Sequence, residues 1–127
     1  MCFVKTCKTP LVAETDIEVY KMFRKVSHFM KPDYYTGPYR MDYVYEELHG
    51  EYFCEDFGKE DVSGMFGFHS FKNFDKAVAA MDRENSWAAS NETFEIIPCI
   101  IPKGTKYYEG YYINTDAYVS EKIILKY

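Results

Sequence analysis

Phe94-Glu95-Ile96-Ile97-Pro98-Cys99-Ile100-Ile101-Pro102-Lys103-Gly104-Thr105 is the stretch on which the fold turns. Its first eight residues are nearly all apolar and end in a turn signal, the pattern of a strand buried on both faces. Pro98 has no amide hydrogen to give a neighbour, so it predicts an edge or a bulge at that point. Pro102-Lys103-Gly104 predicts a tight turn, because proline presets φ and glycine accepts a positive value.

Working outward, residues 65–71 predict a short strand containing Gly67-Phe68-His69-Ser70-Phe71. Asn73 then stands where a helix N-cap belongs, and Phe74, Ala77, Val78 and Met81 recur at i, i+3, i+4 and i+7. That spacing predicts one firm helix over about 73–84. Residues 117–126, ending in Tyr118-Val119-Ser120-Glu121-Lys122-Ile123-Ile124-Leu125, predict the last strand. Upstream, residues 16–26 are rich in β-branched and aromatic residues, with Ile17, Val19, Lys21 and Phe23 on one face. Turn signals at Lys31-Pro32-Asp33 and Thr36-Gly37-Pro38 precede an alternating stretch with Tyr39, Met41, Tyr43 and Tyr45 on one side. Residues 46–63 read as an irregular acidic excursion. Strands outnumber the single helix inserted among them, and the expected class is α+β in one domain, 1–127.

Composition narrows the function. A net charge of −5 argues against a protein that works by gripping a nucleic-acid backbone. The charge is uneven: residues 1–40 hold seven Lys/Arg against four Asp/Glu, and residues 41–63 one against eight, which leaves room for a local basic patch near an anionic ligand. Neither the cysteines (Cys2, Cys7, Cys54, Cys99) nor the histidines (His28, His49, His69) show zinc-ligand spacing, and no motif calls for a cofactor. Without a signal peptide, lipidation box or long apolar run, the expected setting is the cytoplasm with reduced thiols and no membrane. The sequence sets no oligomeric state. Cys2 has two readings: a nucleophile freed by removal of Met1, or a small residue that happens to stand second.

Set side by side, these segments resemble the ADP-ribosyltransferase superfamily. Val19-Tyr20-Lys21 stands where that family has a strand ending in Tyr-Arg, and His69-Ser70-Phe71 where it has a Ser-Thr-Ser strand before a helix. Ile101-Pro102-Lys103-Gly104-Thr105 matches its Pro-Lys-Gly-Thr turn. Glu121-Lys122-Ile123 matches its Glu-x-Glu strand, with Ile123 at the second glutamate. The chain is also similar to small uncharacterised proteins of bacteria and their phages that begin Met-Cys and share the Gly-Phe-His and Pro-Lys-Gly-Thr segments. The resemblance implies a split-sheet core and a nucleotide pocket without turnover. An isoleucine cannot hold a ribose hydroxyl or balance an oxocarbenium-like charge, and losing one such contact costs about 3–4 kcal/mol of barrier. Glu121 is the residue an enzyme would have to use, displaced by one pleat, about 7 Å.

The expected ligand is therefore a nucleotide-type small molecule, derived from NAD or similar to ADP-ribose, held rather than transformed. Sequestering a host immune nucleotide signal is one use that fits the phage-like resemblance. Tyr20, Lys21, Arg24, Arg40, His69, Ser70, Tyr107, Tyr108 and Glu121 are the candidate ligand-binding residues. Lys21 is either a cation at a pocket floor meeting phosphate, or a sign that the strand register is shifted, or a lysine that snorkels to the sheet edge. Ser70 either binds a ribose or satisfies nearby backbone. His69 is a cleft donor or a structural residue. Tyr107, Tyr108, Tyr111 and Tyr112 either stack on a base or pair across a hairpin. The rival functions are a protein-binding module, inhibitor or structural phage component, and an ADP-ribosyltransferase or NAD-cleaving enzyme working through Glu121.

Overall fold

The structure, a computed structural model, describes residues 4–26, 33–36, 44–45, 49–61, 64–85, 92–112 and 115–126. In chain order they form β1 (Val4–Lys5), β2 (Leu11–Val12), β3 (Ile17–Val26), β4 (Asp33–Thr36), β5 (Val44–Tyr45), β6 (His49–Phe53), β7 (Glu60–Asp61), β8 (Gly64–Met65) and β9 (Phe68–Phe71). Then follow α1 (Phe74–Asn85), β10 (Glu92–Ile101), β11 (Lys106–Tyr112), β12 (Thr115–Ser120) and β13 (Lys122–Lys126). Eleven strands join one antiparallel sheet in the order β1-β11-β12-β9-β3-β10-β13-β6, with β2 also on β11, β4 on β3 and β5 on β4. β7 and β8 form a separate two-stranded ribbon.

This overturns the expected class. The protein is mostly β, with a single helix among the described residues, and its core is one continuous sheet rather than an α+β split core. Segments that carry little periodic signal supply the difference: β1 and β2 each pair with β11, and β6 and β7 arise inside the expected acidic excursion. Short strands of this kind are made by their neighbours, since pairing supplies what propensity lacks. The expected strand with Tyr39, Met41 and Tyr43 lies outside the described residues, which resume at Val44–Tyr45.

One residue shapes the sheet. β12 and β13 are separated in sequence only by Glu121, yet in the sheet three strands (β9, β3 and β10) lie between them. Adjacent Cα atoms are only about 3.8 Å apart, so the sheet between must curl until its two flanks meet at Glu121. Both main-chain groups there are engaged: Glu121 N–H donates to the Lys106 carbonyl (3.0 Å), and Cys54 N–H donates to the Glu121 carbonyl (2.8 Å). At the other end of β9's side, Gly67 sits at φ 145°, where a Cβ would come 2.5 Å from Val119 Cγ1. Only glycine fits both the dihedral and the space.

Curling gives the sheet an inner and an outer face. Val19 and Phe23 of β3, Phe68 of β9, Ile97, Cys99 and Ile101 of β10, Tyr118 of β12, and Ile123 and Leu125 of β13 fill the inner face. Their alternation with period two is what register partners such as Cys99↔Leu125 and Cys99↔Val19 require. On the outer face Met22, Phe71, Phe94 and Ala117 meet Ala77 and Ala80 of α1. The helix starts where expected: Asn73 Oδ1 accepts from Lys76 N–H at 3.1 Å and its carbonyl from Ala77 N–H at 3.0 Å. Its buried stripe is carried by the two alanines, whose small side chains let the helix lie close to the sheet, while Phe74 stays half exposed. Pro98 occurs in the part of β10 that pairs with β3 alone among the described residues, where a missing amide hydrogen is tolerated. No described helix is long and apolar enough to cross a membrane.

Candidate functional site

Lys21 sits on the inner face, as its strand period requires, and is fully buried. Its Nζ donates to the His69 main-chain carbonyl at 2.8 Å and lies 5.5 and 6.0 Å from the ring centroids of Phe23 and Phe68. Burial pulls its pKa down to about 8, with Cys99 pulling the other way. Burial pushes the Cys99 thiol up to about 12, and its Sγ donates to the Ile97 carbonyl at 3.3 Å. Lys21 thus ties β3 to β9 inside the core, while the Cys99 bond stays within β10. Lys21 has no exposed surface, so it does not snorkel outward, and it keeps the face of Val19 and Phe23, so the register is not shifted.

The remaining candidates scatter over the sheet. Tyr20 faces α1, its ring edge-on to Phe74 at 5.4 Å. Arg24 lies in β3 opposite Phe94 and Tyr35, and Arg40 falls outside the described residues. Tyr108 is on the outer face, 5.4 Å from the Phe57 ring and 5.1 Å from Lys5 Nζ. Tyr107 is on the inner face and meets Tyr118 edge-on at 5.5 Å. It also walls an open trough of about 530 Å³ with Leu11, Val12, Glu14, Thr15 and Ile17. β11 runs through Glu109-Gly110. Glu121 is at the bend, outside the clefts described below and above. Ile123, at the position the resemblance gives to a glutamate, is fully buried in the inner core.

What the structure does bring together is a cross-strand row. Tyr118 pairs with Ser70 on one side and Glu109 on the other, so the three side chains share the inner face. Beyond Ser70, the pair Tyr20↔Phe71 fixes the register that sets Lys21 next to Ser70. The row runs Lys21, Ser70, Tyr118, Glu109, from the sealed core toward solvent. It ends in a cleft of about 150 Å³ lined by Thr6, Lys72, Glu109, Gly110, Tyr111, Asp116, Ala117 and Tyr118. Lys72 N–H donates to the Asp116 carbonyl at 3.2 Å, and Thr6 donates to the Glu109 carbonyl through both its amide (2.9 Å) and its hydroxyl (3.2 Å). These bonds fix the cleft walls, whose lining includes Glu109, Asp116 and Lys72. Burial raises the Tyr118 pKa, reinforced by Glu109, Tyr107 and Asp116, so its phenol stays protonated.

Sequence reasoning marked Lys21, Ser70 and Tyr107 but missed Tyr118, Lys72, Glu109 and Asp116. These four become neighbours only through the β9-β12-β11 pairing, and their one local signal is the period-two run on each strand. Among the described residues, no group of three or more His, Cys, Asp or Glu side chains stands close enough to hold a metal ion. No protein-family model matches the chain, and no curated protein or solved structure does either.

Proposed function

We propose that this is a binding protein that holds a nucleotide-type ligand without transforming it, in the cleft between β9, β12 and β11. The observation that carries the reading is the mixed lining: Glu109, Asp116, Lys72 and Tyr111 border one sugar-sized space. Carboxylates accept hydrogen bonds from a ribose diol, as acidic residues do in dinucleotide sites. Lys72 is the cation for a phosphate at the rim. Tyr111, 41% exposed, offers a ring on which a base can stack for about 1–3 kcal/mol. Lys21 takes no part, since its ammonium is sealed inside the core.

Sequestration at nanomolar concentration needs about 12 kcal/mol net. One ring and one ammonium fall short of that, so diol contacts must contribute as well. Thermal-shift measurements with NAD, ADP-ribose, cyclic ADP-ribose and cyclic dinucleotides test the reading. A ligand at a hundred times its Kd stabilises the fold by about 2.7 kcal/mol, and Asp116→Asn and Lys72→Met should each reduce that shift. The absence of any shift across the panel would overturn the proposal. Nicotinamide release from NAD, lost in Glu121→Gln, would instead favour the enzyme.

A second reading belongs to another surface. Val4, Leu11 and Val12 are exposed on the two short strands that border β11, next to the trough walled by Ile17 and Tyr107. Apolar residues in such a position suit a protein partner. A stoichiometric partner recovered by pull-down, lost in Leu11→Asp with no small-molecule shift in the parent, would favour it.

A further inference from the structure

β1 and β2 lie along one edge of β11 but do not follow it evenly. Thr6 stands opposite Glu109, to whose carbonyl its amide donates, and Leu11 stands opposite Tyr107. The four residues from Cys7 to Pro10 therefore span the single position of Tyr108 and must loop away from the ladder. Such an excursion, with a proline in it, blocks the addition of a further strand at this edge. A partner here has to fit by side chains.

The tip of the excursion is Lys8-Thr9, both exposed, with Cys7 and Pro10 partly buried on either side. Directly after it, Leu11 and Val12 enter the wall of the trough of about 530 Å³, which Ile17 and Tyr107 extend and to which Glu14 adds a carboxylate. Burial raises the Tyr107 pKa, and Glu109, Cys7 and Glu14 add to the rise, so the phenol stays neutral and Glu14 sets the sign of the trough. Among the described residues neither Lys8 nor Glu14 has an ion-pair partner. A convex loop with an unpaired ammonium thus adjoins a concave, largely apolar surface with an unpaired carboxylate. An unlike partner would have to bring both opposite charges at matching places. A second copy supplies both by symmetry, since a two-fold axis brings the loop of each copy to the trough of the other. We propose that this edge is a homodimer interface in which Lys8 of one copy meets Glu14 of the other, with Leu11 and Val12 covered between them. This rests on the reading of the surface as one for a protein partner, and names that partner as a second copy of the chain.

Sedimentation velocity from micromolar to submillimolar concentration tests the inference on the parent, on Lys8→Glu, on Glu14→Lys and on an equimolar mixture of the two variants. The parent should dimerise. Each reversal alone sets like charges against each other in both symmetric contacts and should weaken dimerisation about tenfold or more. The mixture should regain the parent's affinity, because a dimer of one variant with the other has opposite charges at both contacts. That recovery also shows that neither variant has lost its fold. A parent that stays monomeric would overturn the inference and leave the surface to an unlike partner, which the Leu11→Asp pull-down tests separately. A dimer that neither reversal weakens, or that the mixture does not restore, would place the contact elsewhere and overturn it as well.

Discussion

Lys21 is the residue at which burial and charge compete most directly. Its partner is a main-chain carbonyl, and its pKa falls to about 8 from the ordinary 10.5. Between those values the unfolded chain binds the proton more tightly than the folded one, so stability rises with pH across that window. Below about pH 8 the folded state carries the full penalty, about 3 kcal/mol, and above about 10.5 it carries none. Cys99 works in the opposite sense: its raised pKa makes stability fall as pH climbs above the ordinary thiol value of 9.0. The difference between parent and Lys21→Met isolates the lysine. In urea titrations the parent should gain on the variant by about 3 kcal/mol between pH 7 and 10.5, and a difference that stays flat with pH would refute the buried-ammonium account. The strand period made the oddity of Lys21 legible, since Val19 and Phe23 mark its face as core. Its partner was not legible, because His69 is 48 residues away and reaches Lys21 only once β9 has taken its place beside β3.

Elements with a strong internal signal were the ones readable beforehand. β3 has its β-branched run, β10 its apolar run, and α1 both a cap and a repeat. Asn73→Ala removes the side-chain acceptor for Lys76 N–H and should cost about 1 kcal/mol, measured as a lower urea midpoint with an unchanged slope. Asn73→Asp, which keeps the acceptor, should retain most of that stability. β1 and β2, two residues each, have no room for a pattern and exist because β11 offers them an edge. β12 and β13 read as one strand because a one-residue bend leaves almost no trace in composition. The backbone at Gly67 is a further element-scale constraint: Gly67→Ala puts a side chain at positive φ and against Val119, at a cost of about 1–3 kcal/mol from the dihedral alone. Melting curves of that variant against Gly104→Ala, also at positive φ (88°) but with nothing within 4 Å, separate strain from overlap. Equal losses in the two would show that the Val119 contact is unimportant.

At the scale of the whole molecule, one sheet serves two cores, and the helix covers only the outer one. The expectation of an α+β class came from giving that helix the weight of a layer, when β1, β2, β6 and β7 went undetected elsewhere in the chain. The same arrangement changes what Ile123 means. In sequence it stood where a catalytic glutamate was sought; in the fold it is fully buried opposite Tyr52 and packed into the inner core. Ile123→Glu should therefore restore no chemistry and instead place an uncompensated carboxylate among apolar side chains, at a cost of about 3–5 kcal/mol near neutral pH. The sign with pH follows from the burial: the folded-state pKa of the new carboxyl is raised, so the penalty is smallest in acid and grows as pH rises through the ordinary glutamate range. Ile123→Val, which removes one methylene, should cost only about 0.5–1.5 kcal/mol. Ile124→Glu, one residue on and on the outer face, half buried beside Glu51, should cost less than Ile123→Glu at every pH. Urea denaturation of the three variants at pH 4.5 and 7.5, followed by far-ultraviolet circular dichroism, measures all of this. A stably folded Ile123→Glu with the parent's midpoint at pH 7.5 would mean that position 123 opens to solvent, and the curled single-sheet core would have to be abandoned.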